Sequence, residues 1–299
     1  MTQKNGNAKG GGKGRRKPPP TRRSGGGGGR PPSRQNRGKT GAIDGKPKKA
    51  SREGLGGAQV EGIHAVREVL LAGRRRVHEI LLSTDRSEAP DLEDIRMLAE
   101  QYSVPVRELG RTKLTAEART TAHQGVIAHA STLRETDIEE LYEPVGDTPP
   151  FLLACDGITD PGNLGALLRT AECAGVTGVL LPRHRAVHVT PAVTKTAAGA
   201  IEHLRFAIVG GLPTALADAT ARGALVIGLD MGGDVSIHDL PPVDRPVVLV
   251  LGAEGRGLGR LARERCEVVA SIPMSGAVES LNVSVAGALA IYEVVRRRG

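Results

Sequence analysis

The sequence predicts an α/β protein: a small α/β unit followed by a larger one built on a mostly parallel sheet with helices on both faces. Three observations carry this. After residue 150, apolar runs of roughly four to six residues alternate with helical stretches, the pattern of strands buried on both faces. Residues 59–131 repeat that alternation on a smaller scale. Between them, residues 132–149 are polar, hold one helical turn at 138–142, and close on Pro149 and Pro150, which reads as a linker.

The chain is 299 residues long with a net charge of +8. Residues 1–52 hold 16 Lys and Arg against a single acid, Asp44, which leaves 25 bases against 32 acids in the rest. The basic character therefore belongs to the first segment, and global charge is no argument that the folded body binds nucleic acid. With Pro and Gly runs and almost no apolar residues, 1–58 is expected to be a disordered basic tail, because nothing offsets the entropy of ordering it. Its charge suits RNA phosphates, contacted without sequence preference. No apolar core follows the basic residues, so it is no secretory signal, and no stretch is long enough to span a membrane. Cys155, Cys173 and Cys266 are far apart, without paired ligand spacing. The expectation is a reduced, metal-free, cytoplasmic protein.

In the smaller unit, 62–73 reads as a helix stopped by Gly73, 77–82 as a strand, 91–102 as a helix and 104–107 as a short strand. A brief helix at 114–119 precedes a turn into a strand at 123–128. His64, in the first helical turn, reads as structural, since a site needs several converging groups. In the larger unit the strands are expected at 151–155, 178–181, 205–209, 224–228, 246–251 and 268–272. Helices are expected at 166–174, 193–201, 214–222 and 258–265, and a last one after residue 280. In that helix Leu281, Val285, Leu289 and Tyr292 share a face, and Arg296 to Arg298 sit where its dipole favours cations.

Parallel sheets bind ligands beyond the carboxyl ends of their strands, and three polar clusters fall there. The first follows Asp156 and includes Asp160-Pro-Gly-Asn163, strong turn chemistry, with Arg169 nearly two helical turns beyond Asn163. Alone, Arg169 is as easily an i, i+3 partner of Glu172. The second is Leu251-Gly252-Ala-Glu254-Gly-Arg-Gly-Leu-Gly259, a carboxylate among glycines that let backbone N–H groups approach a ligand. The third is Ser280-Leu281-Asn282 at the start of the last helix, where capping is the ordinary role of Ser and Asn.

Taken together and in this order, the clusters resemble the three motifs of the SpoU branch of the SPOUT RNA 2′-O-ribose methyltransferases, across 151–298. The small unit, with Glu61-Gly-Ile-His-Ala-Val66 and His123-Gln-Gly-Val126, looks like the substrate-binding domain of the subgroup acting on guanosine of 23S rRNA. The resemblance implies a trefoil knot at the C-terminal end of the larger unit (150–299), an L30e-like substrate domain at 59–131, and a homodimer. It implies S-adenosylmethionine held by Leu229, Gly252, Ile272, Met274 and Leu281. It also implies a reaction site of Asn163, Arg169, Glu254, Ser280 and Asn282, with no metal and with RNA rather than DNA or a membrane as partner. Arg169 would act electrostatically on the emerging alkoxide, since a guanidinium is a poor base.

Three rivals stand beside this reading. A tRNA ribose methyltransferase of the same family differs only in substrate. A non-catalytic RNA-binding or ribosome-assembly factor would keep the fold without the chemistry. A nicotinamide-dependent oxidoreductase would use 255–259 as a phosphate loop, but the spacing is GxGxG, and no acid ends the next strand.

Overall fold

The computed structural model describes residues 54–299 apart from Ser87, Arg185 and Glu279. Of the expected basic tail, 1–53 lies outside the described residues. Residues 54–58 are packed: Leu55 is buried in the core of the larger unit, and the Gly56 N–H donates to Val189 O at 2.8 Å.

The smaller unit is a four-stranded sheet in the order β1-β4-β2-β3, formed by Gln59–Glu61, Val126–Ala130, Val77–Ser83 and Val106–Leu109 respectively. β4 runs antiparallel to β1 and β2, and β3 runs parallel to β2. Helices α1 (Ile63–Ala72) and α2 (Pro90–Gln101) bury Val66, Val69, Leu92 and Ile95 on it, and α3 (Arg111–Glu117) buries Leu114. Gly73 ends α1 in the left-handed conformation, φ 60°, as expected for a glycine stop. β1 was not legible as a strand, because three residues are too few to show an alternation. β3 lies two residues later than expected: Pro105 has no N–H to pair, and offers only its carbonyl, to Ile80 N.

The larger unit is a seven-stranded, wholly parallel sheet in the order β7-β6-β5-β10-β8-β11-β9. Its strands are β5 (Phe151–Asp156), β6 (Gly178–Pro182), β7 (Phe206–Val209), β8 (Leu225–Leu229), β9 (Val235–Ser236), β10 (Val247–Gly252) and β11 (Val268–Ser271). Central β10 is buried along its length, and both Phe residues of the chain, Phe151 and Phe206, are fully buried. On one face α4 (Pro161–Cys173), α5 (Pro191–Thr196) and α8 (Val283–Arg298) cover the sheet; α6 (Leu212–Ala221) packs on the other. α7 (Arg260–Arg263) is much shorter than the helix expected at 258–265. The helix expected over 193–201 breaks into α5 and a 3₁₀ turn, Ala200–Glu202, because Ala198 and Gly199 both take positive φ.

The segment expected to be a linker is fastened down. Leu141 is fully buried under the sheet, Thr136 N donates to Phe206 O at 2.8 Å, and Arg205 donates to Glu140 O at 2.8 Å.

The apolar stripe noted on the last helix faces outward. Leu281, Val285, Leu289 and Tyr292 do share a face, but that face points to solvent. The inward face is Gly287, Ala290, Ile291 and Val294. A Cβ on Gly287 would stand 2.3 Å from Leu167 Cδ2, so only a small residue lets α8 lie this close to α4 and β10.

Candidate active site

The three polar clusters meet at the carboxyl end of the sheet, as the strand order requires: β5 and β10 are neighbours, and α4 and α8 start beside them. Asp160 caps α4, accepting from Asn163 N at 2.7 Å, with Pro161 at the first helical position. That fixes Asn163 in the first turn. Its Nδ2 donates to Glu254 Oε2 at 3.2 Å, and its Oδ1 accepts from Asn282 Nδ2 at 2.9 Å. Asn282 in turn caps α8, its Oδ1 accepting from Ser284 N at 2.9 Å and from the Ser284 hydroxyl at 2.6 Å. Capping and site-building are thus one arrangement, in which a relay of amides orients the Glu254 carboxylate from two helix starts.

Glu254 and Ser280 line a cavity of about 500 Å³, and so do all five residues expected to hold the cofactor: Leu229, Gly252, Ile272, Met274 and Leu281. Its apolar wall and backbone groups freed at strand ends offer an adenine ring a surface to lie on and an edge to pair with. Leu281 is 37% exposed, so it forms the rim of this cavity rather than a piece of core.

Arg169 is not drawn into the relay. It is exposed, lies outside the cavity lining, and makes no hydrogen bond or ion pair with a described residue. The pairing with Glu172 open to it by spacing is not made.

Two carboxylates that the sequence did not single out as site residues hold the glycine loop. Asp230, just after β8, accepts from Leu258 N at 2.9 Å through Oδ2 and from Gly232 N at 2.9 Å through Oδ1; Arg263 lies 3.3 Å from Oδ1. Asp156, ending β5, accepts from Gly259 N at 2.7 Å. These strands flank β10, so 253–259 is pinned from both sides. The signal was present: each Asp ends an apolar strand and has a glycine within two residues. The glycines themselves answer to space. A Cβ on Gly257, at φ 65°, would fall 2.3 Å from Asp230 Oδ2, and one on Gly252 would fall 2.2 Å from the Gly257 carbonyl carbon. Following this loop, α7 has only four residues, too short a helix to serve the phosphates of a dinucleotide.

Burial pushes the thiols of Cys155 and Cys266 up to about 12, so neither is a nucleophile at neutral pH.

Residues 150–292 match the SpoU rRNA Methylase family, and residues 59–136 match the RNA 2′-O ribose methyltransferase substrate binding family. The chain is 41% identical over 243 residues to the 23S rRNA (guanosine-2′-O-)-methyltransferase RlmB of Pseudomonas putida, covering 80% of this chain and 96% of that one. It is similar in structure to a putative RNA methyltransferase of the TrmH family from Porphyromonas gingivalis, with TM-score 0.64 and 29% identity over 80% of this chain and 89% of that chain. The fold is also that of the SpoU methyltransferase AviRb from Streptomyces viridochromogenes, solved in complex with AdoMet, with TM-score 0.67 and 24% identity over 80% and 90% of the two chains.

Proposed function

The chain belongs to the SpoU rRNA methylase family, and from that premise we propose that it transfers a methyl group from S-adenosylmethionine to the 2′-hydroxyl of a guanosine ribose in 23S rRNA. The observation that carries the reading is the Glu254–Asn163–Asn282 relay set at the mouth of a cavity lined by the expected cofactor residues.

S-adenosylmethionine supplies a methyl group already activated by its sulfonium. The protein has to bind it, align the ribose oxygen and stabilise the loss of a proton. Leu229, Gly252, Ile272, Met274 and Leu281 hold the cofactor. Asn163 and Asn282 keep each other and Glu254 in one orientation, so the Glu254 carboxylate presents its other oxygen to the incoming nucleotide without searching rotamers. Ser280, on the cavity wall, orients the ribose. A guanidinium stays protonated under physiological conditions, so the role assigned to Arg169 is charge: stabilising the developing alkoxide and an adjacent phosphate.

Residues 59–131 are read as the substrate-binding domain, 132–149 as the connection and 150–299 as the methyltransferase domain, tied in a trefoil knot. Supporting the knot are the insertion of β10 between β5 and β8 and the return of α8 onto α4 and β10. The working unit is a homodimer. Its support is the outward apolar face of Val285, Leu289 and Tyr292 beside a shallow cavity shared with Ile237 and Ile272. The basic residues of 1–52 add attraction to RNA phosphates. Among the described residues no helix is long and apolar enough to cross a membrane. An rRNA substrate, as named for the RlmB relatives, supports a cytoplasmic location.

The test is transfer of tritiated methyl from S-adenosylmethionine to fragments of 23S rRNA and to tRNA, followed by mapping of the ribose. Modification of one guanosine in the rRNA fragment is expected. Transfer to tRNA alone would overturn the substrate, and cofactor binding without transfer to either RNA would overturn the enzyme.

A further inference from the structure

The junction between the two sheets buries charge beside the apolar Leu55 and Leu133. Arg75, in the turn between α1 and β2, and Glu202, in the 3₁₀ turn after α5, form an ion pair whose side chains are 0% and 1% exposed. Arg75 Nε donates to Glu202 Oε2 at 2.9 Å while Nη2 donates to Oε1, a bidentate fork. The remaining Arg75 nitrogen donates to Gly57 O at 3.0 Å and Ser131 O at 3.4 Å, the two strands of chain that enter and leave the small sheet. Arg74 reaches over the same turn and donates to Glu202 O at 3.0 Å and Leu204 O at 2.6 Å. Around them, Gly56 N donates to Val189 O, His203 lies 2.9 Å from Glu68, and Gly199 abuts the Glu68 side chain too closely to admit a Cβ.

Domains joined without a large apolar interface move against each other by default, and here Leu55 and Leu133 are the apolar residues that the segments flanking the small sheet bury in the larger unit's core. A buried ion pair adds little net stability compared with apolar packing. What it adds is direction: a guanidinium fork fits a carboxylate in one plane, and any other docking angle strands buried charge. Such a pair is poorly suited to gluing two units and well suited to setting their angle. The methyl-transfer reading needs that angle set, because the small sheet recognises RNA while the ribose must reach Glu254.

We propose that Arg75 and Glu202, with Arg74 over them, are positioning residues: the buried fork fixes the substrate-binding sheet on the methyltransferase sheet and thereby selects which ribose is presented to the cavity. This rests on the functional reading above. The clamp touches neither the cavity nor the amide relay.

The test uses the full-length protein and two variants, Glu202→Gln, which removes the charge at constant shape, and Arg74→Ala, which removes only two bonds from a side chain open to solvent. Three quantities are read: deuterium exchange of the Gly56 amide, affinity for S-adenosylmethionine by calorimetry, and methyl transfer to an rRNA fragment with all modified riboses mapped. Faster Gly56 exchange is expected, with cofactor affinity within about twofold. Transfer efficiency at the preferred ribose should fall, by up to roughly a hundredfold for a displacement near 1 Å, while the share of methyl on neighbouring riboses rises. If Glu202→Gln does not fold, Arg74→Ala decides alone. Faster exchange with unchanged site choice would overturn the proposal, as would unchanged exchange in both variants. Cofactor affinity, transfer and thermal stability all falling together would reduce the pair to a structural one. No transfer by the unaltered protein would instead sink the functional reading, leaving Gly56 exchange as the measure of the clamp.

Discussion

Replacing Gly252 by Ala tests the geometry of the glycine loop with one methyl group. Gly252 ends β10, and the chain folds back over it: Gly257 N donates to Ala253 O at 2.9 Å, and Ala253 N donates to Gly257 O at 3.0 Å. An added Cβ would lie 2.2 Å from the Gly257 carbonyl carbon, 2.4 Å from its oxygen and 2.5 Å from Leu258 N, all backbone atoms that no rotamer can move. Ordinary contact begins at 3.4 Å, so the turn must retreat by about 1.2 Å. That opens both Ala253–Gly257 hydrogen bonds, at about 1 kcal/mol each. It also carries Glu254 away from Asn163, which is already 3.2 Å distant. A displacement of this size costs on the order of a hundredfold in rate. Gly255→Ala is the control: it lies in the same loop at φ 73° with nothing within 4 Å, so it meets only the left-handed strain of about 1 kcal/mol. Calorimetric titration with S-adenosylmethionine and single-turnover methyl transfer should both fail in Gly252→Ala and largely survive in Gly255→Ala. Equal behaviour of the two variants would refute close approach as the reason for the glycine.

Arg169→Ala should leave the stability within the range of a neutral surface substitution, about 0.5 kcal/mol, since the side chain makes no hydrogen bond or ion pair with a described residue. Cofactor binding should stay within a few-fold and methyl transfer should nearly vanish; retained turnover would return Arg169 to the solvated surface. Leu281→Asp should weaken S-adenosylmethionine binding sharply, because the rim would gain a carboxylate facing an apolar wall, and unchanged affinity would place the cofactor elsewhere. Glu293 gives a pH prediction. Hydrogen bonds from Arg296, at 2.6 and 2.9 Å, and from Arg297 hold its carboxyl down from 4.5 to about 2. A depressed carboxylate stabilises the fold fully above its unfolded value and loses that stabilisation as pH falls through the folded one. Melting curves between pH 4.5 and 2 should therefore be flatter in Glu293→Gln than in the unaltered protein, and parallel acid limbs would show the pairs to be idle.

What the sequence displayed depended on how each element is buried. β5, β6 and β10 are covered on both faces, so each is an uninterrupted apolar run such as Val247 to Leu251. β9, two residues at the sheet edge, has no pattern to display. The relay of Asn163, Glu254 and Asn282 could be expected as a set only from the resemblance, because their 91 and 119 residues of separation are closed by strand order alone. Asp230 went unnoticed for the opposite reason: its work is done on backbone amides of Gly232 and Leu258, and backbone partners leave no trace in side-chain motifs. The same holds for Arg75, whose partner Glu202 lies 127 residues away.

α8 shows where periodicity misleads. Its larger apolar residues fall on one stripe, and the usual inference turns the larger stripe inward. Here the inner stripe has to be small at Gly287, which meets Leu167 and Leu251 with no room for a methyl, while Ile291 and Val294 fill the core further along. Packing distance to α4, rather than hydrophobicity, decides which face goes in. That leaves Val285, Leu289 and Tyr292 about half exposed on a helix whose first turn adjoins the cavity proposed for the cofactor, continuing a line that starts at the rim residue Leu281. A helix that puts Gly287 at its closest approach, with Ala290, Ile291 and Val294 beyond it, and carries Val, Leu and Tyr on its outer face is shaped for a close neighbour on one side and a larger one on the other. The close neighbour is α4. In the dimer proposed above, the second is another copy of the chain, and its approach would cover the helix.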